Sequence, residues 1–105
     1  MDRLEVLLQL YENDPSDSFT QFAIGFEYHK VGQLQNALYW YELVLTTDAN
    51  YTGVYYHLGR LYVELERIED ARKIYKKGIE VCTRLQEVKD RGELQQALEA
   101  ILKDD

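Results

Sequence analysis

One cysteine, one proline and two histidines are all that this chain of 105 residues holds of those types, and each scarcity closes a route. Cys82, alone, forms no internal disulfide and assembles no thiolate metal site. Its side chain reads instead as a small buried hydrophobe on a helix. His29 and His57 are far apart in sequence, and neither has the i, i+4 partner that a zinc-binding helix requires. No metal and no cofactor is expected. With 46% hydrophobic residues and Pro15 as the only proline, the composition is that of an ordered globular chain.

The parts of a catalytic site are also lacking. Ser16 and Ser18 have no histidine beside them, and no glycine-rich loop precedes a helix to cradle a phosphate. Glu64, Glu66, Glu69 and Asp70 lie among bases, which suits a solvated face better than an acid and base with separated pKa values. An enzyme is therefore not expected.

Positive charge is scarce in one half. Residues 1–50 hold eight acids and two bases, residues 51–105 eleven acids and ten bases, for a net charge of -7. Such a field repels nucleic-acid phosphates and mildly favours a basic partner. Apolar runs are a few residues long, against the roughly 20 that a membrane helix needs. The first residues, MDRLEVLLQLYENDP, carry Asp2, Glu5 and Glu12 without a small-residue cleavage site, so no secretory signal is expected. The expectation is a cytoplasmic protein with no nucleic-acid or membrane role.

What is present is helical periodicity. Leu4, Leu7, Leu8 and Tyr11 make one face of a first helix, which Asn13, Asp14 and Pro15 stop. Ser16, Asp17 and Ser18 offer caps for a second helix, from about Phe19 to Lys30, which Gly32 ends in a left-handed C-cap. A third helix spans about Leu34 to Thr46. A fourth spans about Tyr51 or Thr52 to Leu65, followed by a turn at Glu66 and Arg67 that lacks glycine. The fifth begins near Ile68 and is expected to run to about Val88, its outer face charged with Arg72, Lys73, Lys76 and Lys77. After a break at Asp90, Arg91 and Gly92, the segment ELQQALEAILKDD reads as a last helix with Leu94, Ala97, Leu98, Ile101 and Leu102 inward.

Two of these helix pairs match at an offset of 34 residues. Gly25 recurs as Gly59, Tyr28 as Tyr62, Ala37 as Ala71 and Tyr41 as Tyr75, with Ile24 and Leu58 as an apolar pair. A period of 34 built from two helices is that of a helical solenoid. The glycines and alanines let paired helices approach, and the tyrosines fill the space between them.

On these residues the chain resembles the tetratricopeptide repeat family. Gln21 and Val44 depart from the pattern in the first copy, and Ala49 and Thr83 replace its prolines. The resemblance implies an all-α fold: antiparallel helix-turn-helix repeats stacked as a short right-handed solenoid with a C-terminal capping helix. It divides a single domain, 1–105, into a helix of a truncated repeat (1–14), two repeats (18–51 and 52–85) and a cap (86–105).

The resemblance further implies a protein-protein interaction module, whose groove is lined by the first helix of each repeat. The implied lining is Phe19, Phe22, Phe26, His29 and Lys30, then Gly53, Tyr56, Arg60, Val63 and Glu64, with His57 beside them. Phe19, Phe22, Phe26, His29, Tyr56, His57 and Arg60 are the candidate partner-binding residues. Phe22 and Phe26 stand where chaperone-binding relatives carry the Lys and Asn of a carboxylate clamp, so apolar burial is the expected mode. The second helix is apolar nearly all round, so either the N-terminal helix covers some of its three phenylalanines or Phe22, Phe26 and Tyr56 form an exposed apolar patch, and for Phe19 and Phe22 the sequence leaves both open. The alternative is a self-associating unit, a homodimer through exposed aromatics or the end helices.

Overall fold

Short acidic side chains open the first two helices of the computed structural model, which describes residues 1–103. Asp2 accepts from the Glu5 amide at 2.8 Å, opening α1 (Arg3–Asn13). Asp17 accepts from the Phe19 amide and, at 2.7 Å, from the Thr20 hydroxyl, opening α2 (Ser18–Lys30). The chain continues as α3 (Leu34–Thr47), α4 (Gly53–Glu64), α5 (Ile68–Leu85) and α6 (Val88–Lys103), with no strand among the described residues. Asp104 and Asp105, placed in the last helix by the sequence pattern, lie outside the described residues. None of the helices is long and apolar enough to cross a membrane.

The helices form two compact units, Met1–Tyr51 and Thr52 onward. In the first, α2 packs on α3 and α1 packs on α2. Leu7, Ala23 and Ile24 are buried together, with Leu4, Leu8, Tyr11, Tyr28 and Trp40 against them. Burying these side chains stabilises the unit by roughly 1.5–3 kcal/mol for each large one. Tyr41 is fully buried, its ring lying over Gly25, whose Cβ, were there one, would fall 2.7 Å from Tyr41 Cδ1. An ion-paired set fastens α1: Arg3 Nε lies 3.3 Å from Glu27 Oε1, and Lys30 Nζ 2.6 Å from Glu27 Oε2.

The second unit repeats the device. Gly59 on α4 lies under the Tyr75 ring of α5, and Gly78 on α5 under Tyr55 and Leu94. Val54, Leu58, Leu61, Ala71, Val81 and Cys82 complete its core. Burial and the nearby Asp90 and Glu87 carboxylates push the Cys82 thiol up, with Arg91 opposing. Glycine is required at position 59 because the Tyr75 ring, and at position 78 because the Tyr55 side chain and a Leu94 methyl group, occupy the space a Cβ would take.

Two expectations are corrected, and one question left open by the sequence is answered. The break before the last helix falls at Gln86 and Glu87 instead of 90–92: Gln86 is left-handed at φ 61, and the Glu87 amide donates to the Cys82 carbonyl at 2.9 Å. That cap ends α5 at Leu85, short of Val88, and leaves Gly92 inside α6. The open question concerned α2: α1 covers its Ala23, Ile24 and Tyr28 side, not Phe19 and Phe22. Phe19 is 60% exposed. Second, of the five inward residues expected in α6 only Leu94 is fully buried, and Leu102 is exposed.

The turn between α4 and α5 repeats the one between α2 and α3 without its glycine. Gly32 has φ 80, and Glu66, 34 positions later, has φ 59. The bonds correspond: the Gln33 amide donates to the Tyr28 carbonyl at 3.0 Å and the Arg67 amide to the Tyr62 carbonyl at 2.8 Å. A left-handed non-glycine residue costs about 1–2 kcal/mol. Glu66→Gly is therefore expected to stabilise the protein by about 1 kcal/mol, read as a higher urea midpoint with an unchanged slope.

Candidate functional site

On α2, residues 19, 22, 26 and 29 follow helical spacing, so Phe19, Phe22, Phe26 and His29 share a broad face. Phe19 stands in solvent at its start. Phe22 is half-buried: its ring stacks 5.8 Å from Tyr41 and 6.2 Å from Phe26, and lies 5.6 Å from Tyr51 in the following turn. His29 Nδ1 and the Tyr41 hydroxyl share a hydrogen bond at 3.0 Å, which fixes the imidazole at the C-terminal end of the face. The Lys30 ammonium sits 5.4 Å from the centre of the Phe26 ring. Burial, and secondarily the Asp17 carboxylate, push the Tyr51 hydroxyl up, so it stays a neutral donor near Phe22. The face can bury apolar groups and offers few charges.

In the second unit, Tyr56, His57 and Arg60 lie within two turns of α4. The Arg60 guanidinium is 6.0 Å from the Tyr56 ring centre, and the Tyr56 and His57 rings meet edge to face at 5.5 Å. Across from Tyr56 and Arg60 runs α6. Between them is an open cleft of about 270 Å³, walled by Tyr56, Arg60, Val63 and Glu64 on α4 and by Ala97, Ala100 and Ile101 on α6, with Tyr75 at its floor. A second hollow of about 510 Å³ adjoins it at Tyr56, Glu93, Gln96 and Ala97. At one end the Thr52 hydroxyl donates to Asp90 Oδ2 at 2.6 Å, tying the start of α6 to the start of α4.

The sequence pattern missed the far wall of this cleft. Helices α2, α4 and α6 begin at 18, 53 and 88, an even interval that puts α6 where the first helix of a third repeat would stand. The signal was hidden because α6 has neither the Gly nor the Tyr of the other two, and because Gly92 resembles a break. Gly53, expected to line a groove, opens α4 instead and is not a cleft residue.

Tyr75 at the cleft floor is only 2% exposed. Burial and the neighbouring Tyr56 push its hydroxyl up to about 12, with Arg60 opposing. Its folded pKa lies above the unfolded value of about 10, so the folded state holds the proton more tightly. The resulting stability is complete below pH 10 and is lost as pH rises from 10 to 12. The unfolding free energy of the wild type, from urea titrations, should fall across that window by as much as about 2–3 kcal/mol more than that of Tyr75→Phe.

Among the described residues, no three His, Cys, Asp or Glu side chains come together to hold a metal ion. No functionally curated protein matches the sequence. The family profile described as tetratricopeptide repeat matches residues 28–81, just over half the chain. The chain belongs to the tetratricopeptide repeat family. A tetratricopeptide repeat domain protein from Salinibacter ruber, solved by crystallography, is 39% identical over 85% of this chain and 99% of its own, with a TM-score of 0.81. Two more distant structures share the all-α helical repeat fold. The type III secretion translocator chaperone SycD of Yersinia enterocolitica is 20% identical with a TM-score of 0.88, over 96% of this chain and 70% of its own. The first such repeat domain of Spaghetti (RPAP3), bound to the HSP90 peptide SRMEEVD, is 18% identical with a TM-score of 0.83, over 96% and 75%.

Proposed function

We propose that this tetratricopeptide repeat chain is a non-catalytic protein-protein interaction module, binding an apolar segment of a protein partner on the exposed faces of its first helices. Residues 18–51 and 52–85 act as its two complete repeats. Its binding residues are Phe19, Phe22, Phe26 and His29 in the first unit and Tyr56, His57 and Arg60 in the second. The α4–α6 cleft carries the reading: it is open, it is floored by an aromatic ring, and the small side chains of Ala97 and Ala100 leave room for an inserted group. Support also comes from the RPAP3 domain, which shares the fold and holds a peptide.

Filling the cleft tests this. Ala100 is exposed, so Ala100→Trp occupies the space without disturbing the core. In affinity capture from the native cell, partners of the wild type should bind Ala100→Trp and Tyr56→Ala at least tenfold more weakly, with unchanged circular dichroism. Partners retained at full affinity by both variants reject the cleft as the site. Sedimentation of the wild type beside Phe19→Asp decides the self-association reading: a dimer lost in the variant would favour it, and a monomer in both removes it.

A further inference from the structure

At the 34-residue offset Tyr41 recurs as Tyr75, but three positions near it change: Phe22 becomes Tyr56, Phe26 becomes Arg60 and His29 becomes Val63. The last change removes a partner. The Tyr41 hydroxyl shares a hydrogen bond with His29 Nδ1 at 3.0 Å, whereas a valine in that place offers Tyr75 no polar atom. Tyr75 is 2% exposed, yet among the described residues no hydrogen bond reaches its hydroxyl. A polar group on so buried a residue calls for a partner. The space it borders is the α4–α6 cleft, which its ring floors.

Tyr56 and Arg60 also line that cleft, and both act on the Tyr75 hydroxyl, Tyr56 pushing its pKa up and Arg60 pulling it down. Arg60 is exposed and makes no ion pair among the described residues. Its guanidinium holds donors and no acceptor, so what the pair lacks is an acceptor, best an anion. Around them Val63, Ala97, Ala100 and Ile101 form apolar walls. One cation with Glu64 in the same wall and Glu93 in the adjoining hollow suits a monoanion, and a doubly charged phosphate would be repelled. That hollow continues the cleft past Tyr56, so a chain can run through it instead of ending there. No broad field opposes the charge, since residues 51–105 hold eleven acids and ten bases. We infer that the cleft selects a partner segment with an internal Asp or Glu beside a large apolar residue, the carboxylate accepting from the Tyr75 hydroxyl and the Arg60 guanidinium while the apolar neighbour lies against Val63, Ala97, Ala100 and Ile101. This selectivity rests on the cleft being the partner site, as proposed above.

The probe is a peptide with a central Leu-Glu-Leu and both termini blocked, titrated into the full chain beside its Leu-Gln-Leu counterpart and followed by amide shifts. The glutamate peptide should shift residues 56–64 and 96–101 and bind at least fivefold more tightly than the glutamine one. That preference should shrink in Arg60→Met and in Tyr75→Phe and vanish in the double variant, with unchanged circular dichroism. Arg60 is exposed, and Tyr75→Phe keeps the ring over Gly59, so the fold persists. Equal affinity of the two peptides at these amides overturns the inference and leaves the cleft reading standing. A preference that survives in the double variant overturns it too, as does tighter binding of a phosphoserine peptide, or of the glutamine peptide with a free C-terminus, than of the glutamate one. Shifts of neither segment by either peptide, with the same result for Ala100→Trp, reject the cleft reading and the inference together.

Discussion

Gly59→Ala is expected to destabilise the protein by about 2 kcal/mol, while the same substitution at Gly92 stabilises it. Both glycines lie inside helices, where alanine is favoured by about 1 kcal/mol. The sign is decided by what the new methyl group meets. At Gly92 there is nothing within 4 Å, so the helical gain is realised. At Gly59 the Cβ would enter the Tyr75 ring, with Cδ1 and Cζ each 2.6 Å away. The ring cannot retreat, because Tyr75 is packed almost wholly out of solvent. Overpacking of a tight core costs typically 1–3 kcal/mol, and a contact this close belongs at or above the upper end. About 3 kcal/mol of clash less about 1 of propensity leaves the net loss, a thermal midpoint lower by on the order of 10 °C. Tyr75→Leu in the Gly59→Ala background should show positive coupling of at least about 1 kcal/mol in a double-mutant cycle.

Tyr41→Ala should cost more, about 4 kcal/mol. Truncating a buried aromatic residue costs about 3–5 kcal/mol, from lost burial and the cavity left behind. Tyr41 is wholly buried, lies on Gly25, stacks on Phe22 and meets the His29 ring at 5.7 Å. A loss of that size is a large share of the 5–15 kcal/mol typical of a domain. Tyr41→Phe keeps the ring and removes the hydroxyl that bonds His29, an effect of about 1 kcal/mol. Chemical denaturation of the two variants separates the packing role from the polar one. It also bears on the candidate site, since Tyr41 is the wall against which Phe22 is set.

What could be read in advance follows from what repeats. Gly25 with Tyr41 and Gly59 with Tyr75 are visible as an offset in the sequence because each pair meets within one helical hairpin, and the same contact is made twice. The structure sharpens their role: each glycine accommodates the tyrosine ring of the partner helix. Three features carried no such mark. The cap at Gln86 is a left-handed residue whose side chain does not announce it, whereas Gly92 looks like a break and lies in an unbroken helix. For α2, apolar on nearly every side, periodicity could not say which neighbour covers which stripe. In the event α1 took the side of Ala23 and Ile24, and left Phe19 to solvent. Finally, the far wall of the cleft depends on Ala97, Ala100 and Ile101, which read from the sequence as ordinary apolar positions of a terminal helix.

The central claim is that this chain works by holding a polypeptide on its first helices, in the second unit within the α4–α6 cleft. Site-specific photo-crosslinking in the native cell tests it most directly, with the photoreactive residue placed in turn at Ala100, at Phe19 and, as a control, at Tyr39, which is exposed on α3. Adducts to the same polypeptide from Ala100 and Phe19, with none from Tyr39, are the predicted result. Adducts from Tyr39 with none from Ala100 would contradict the account.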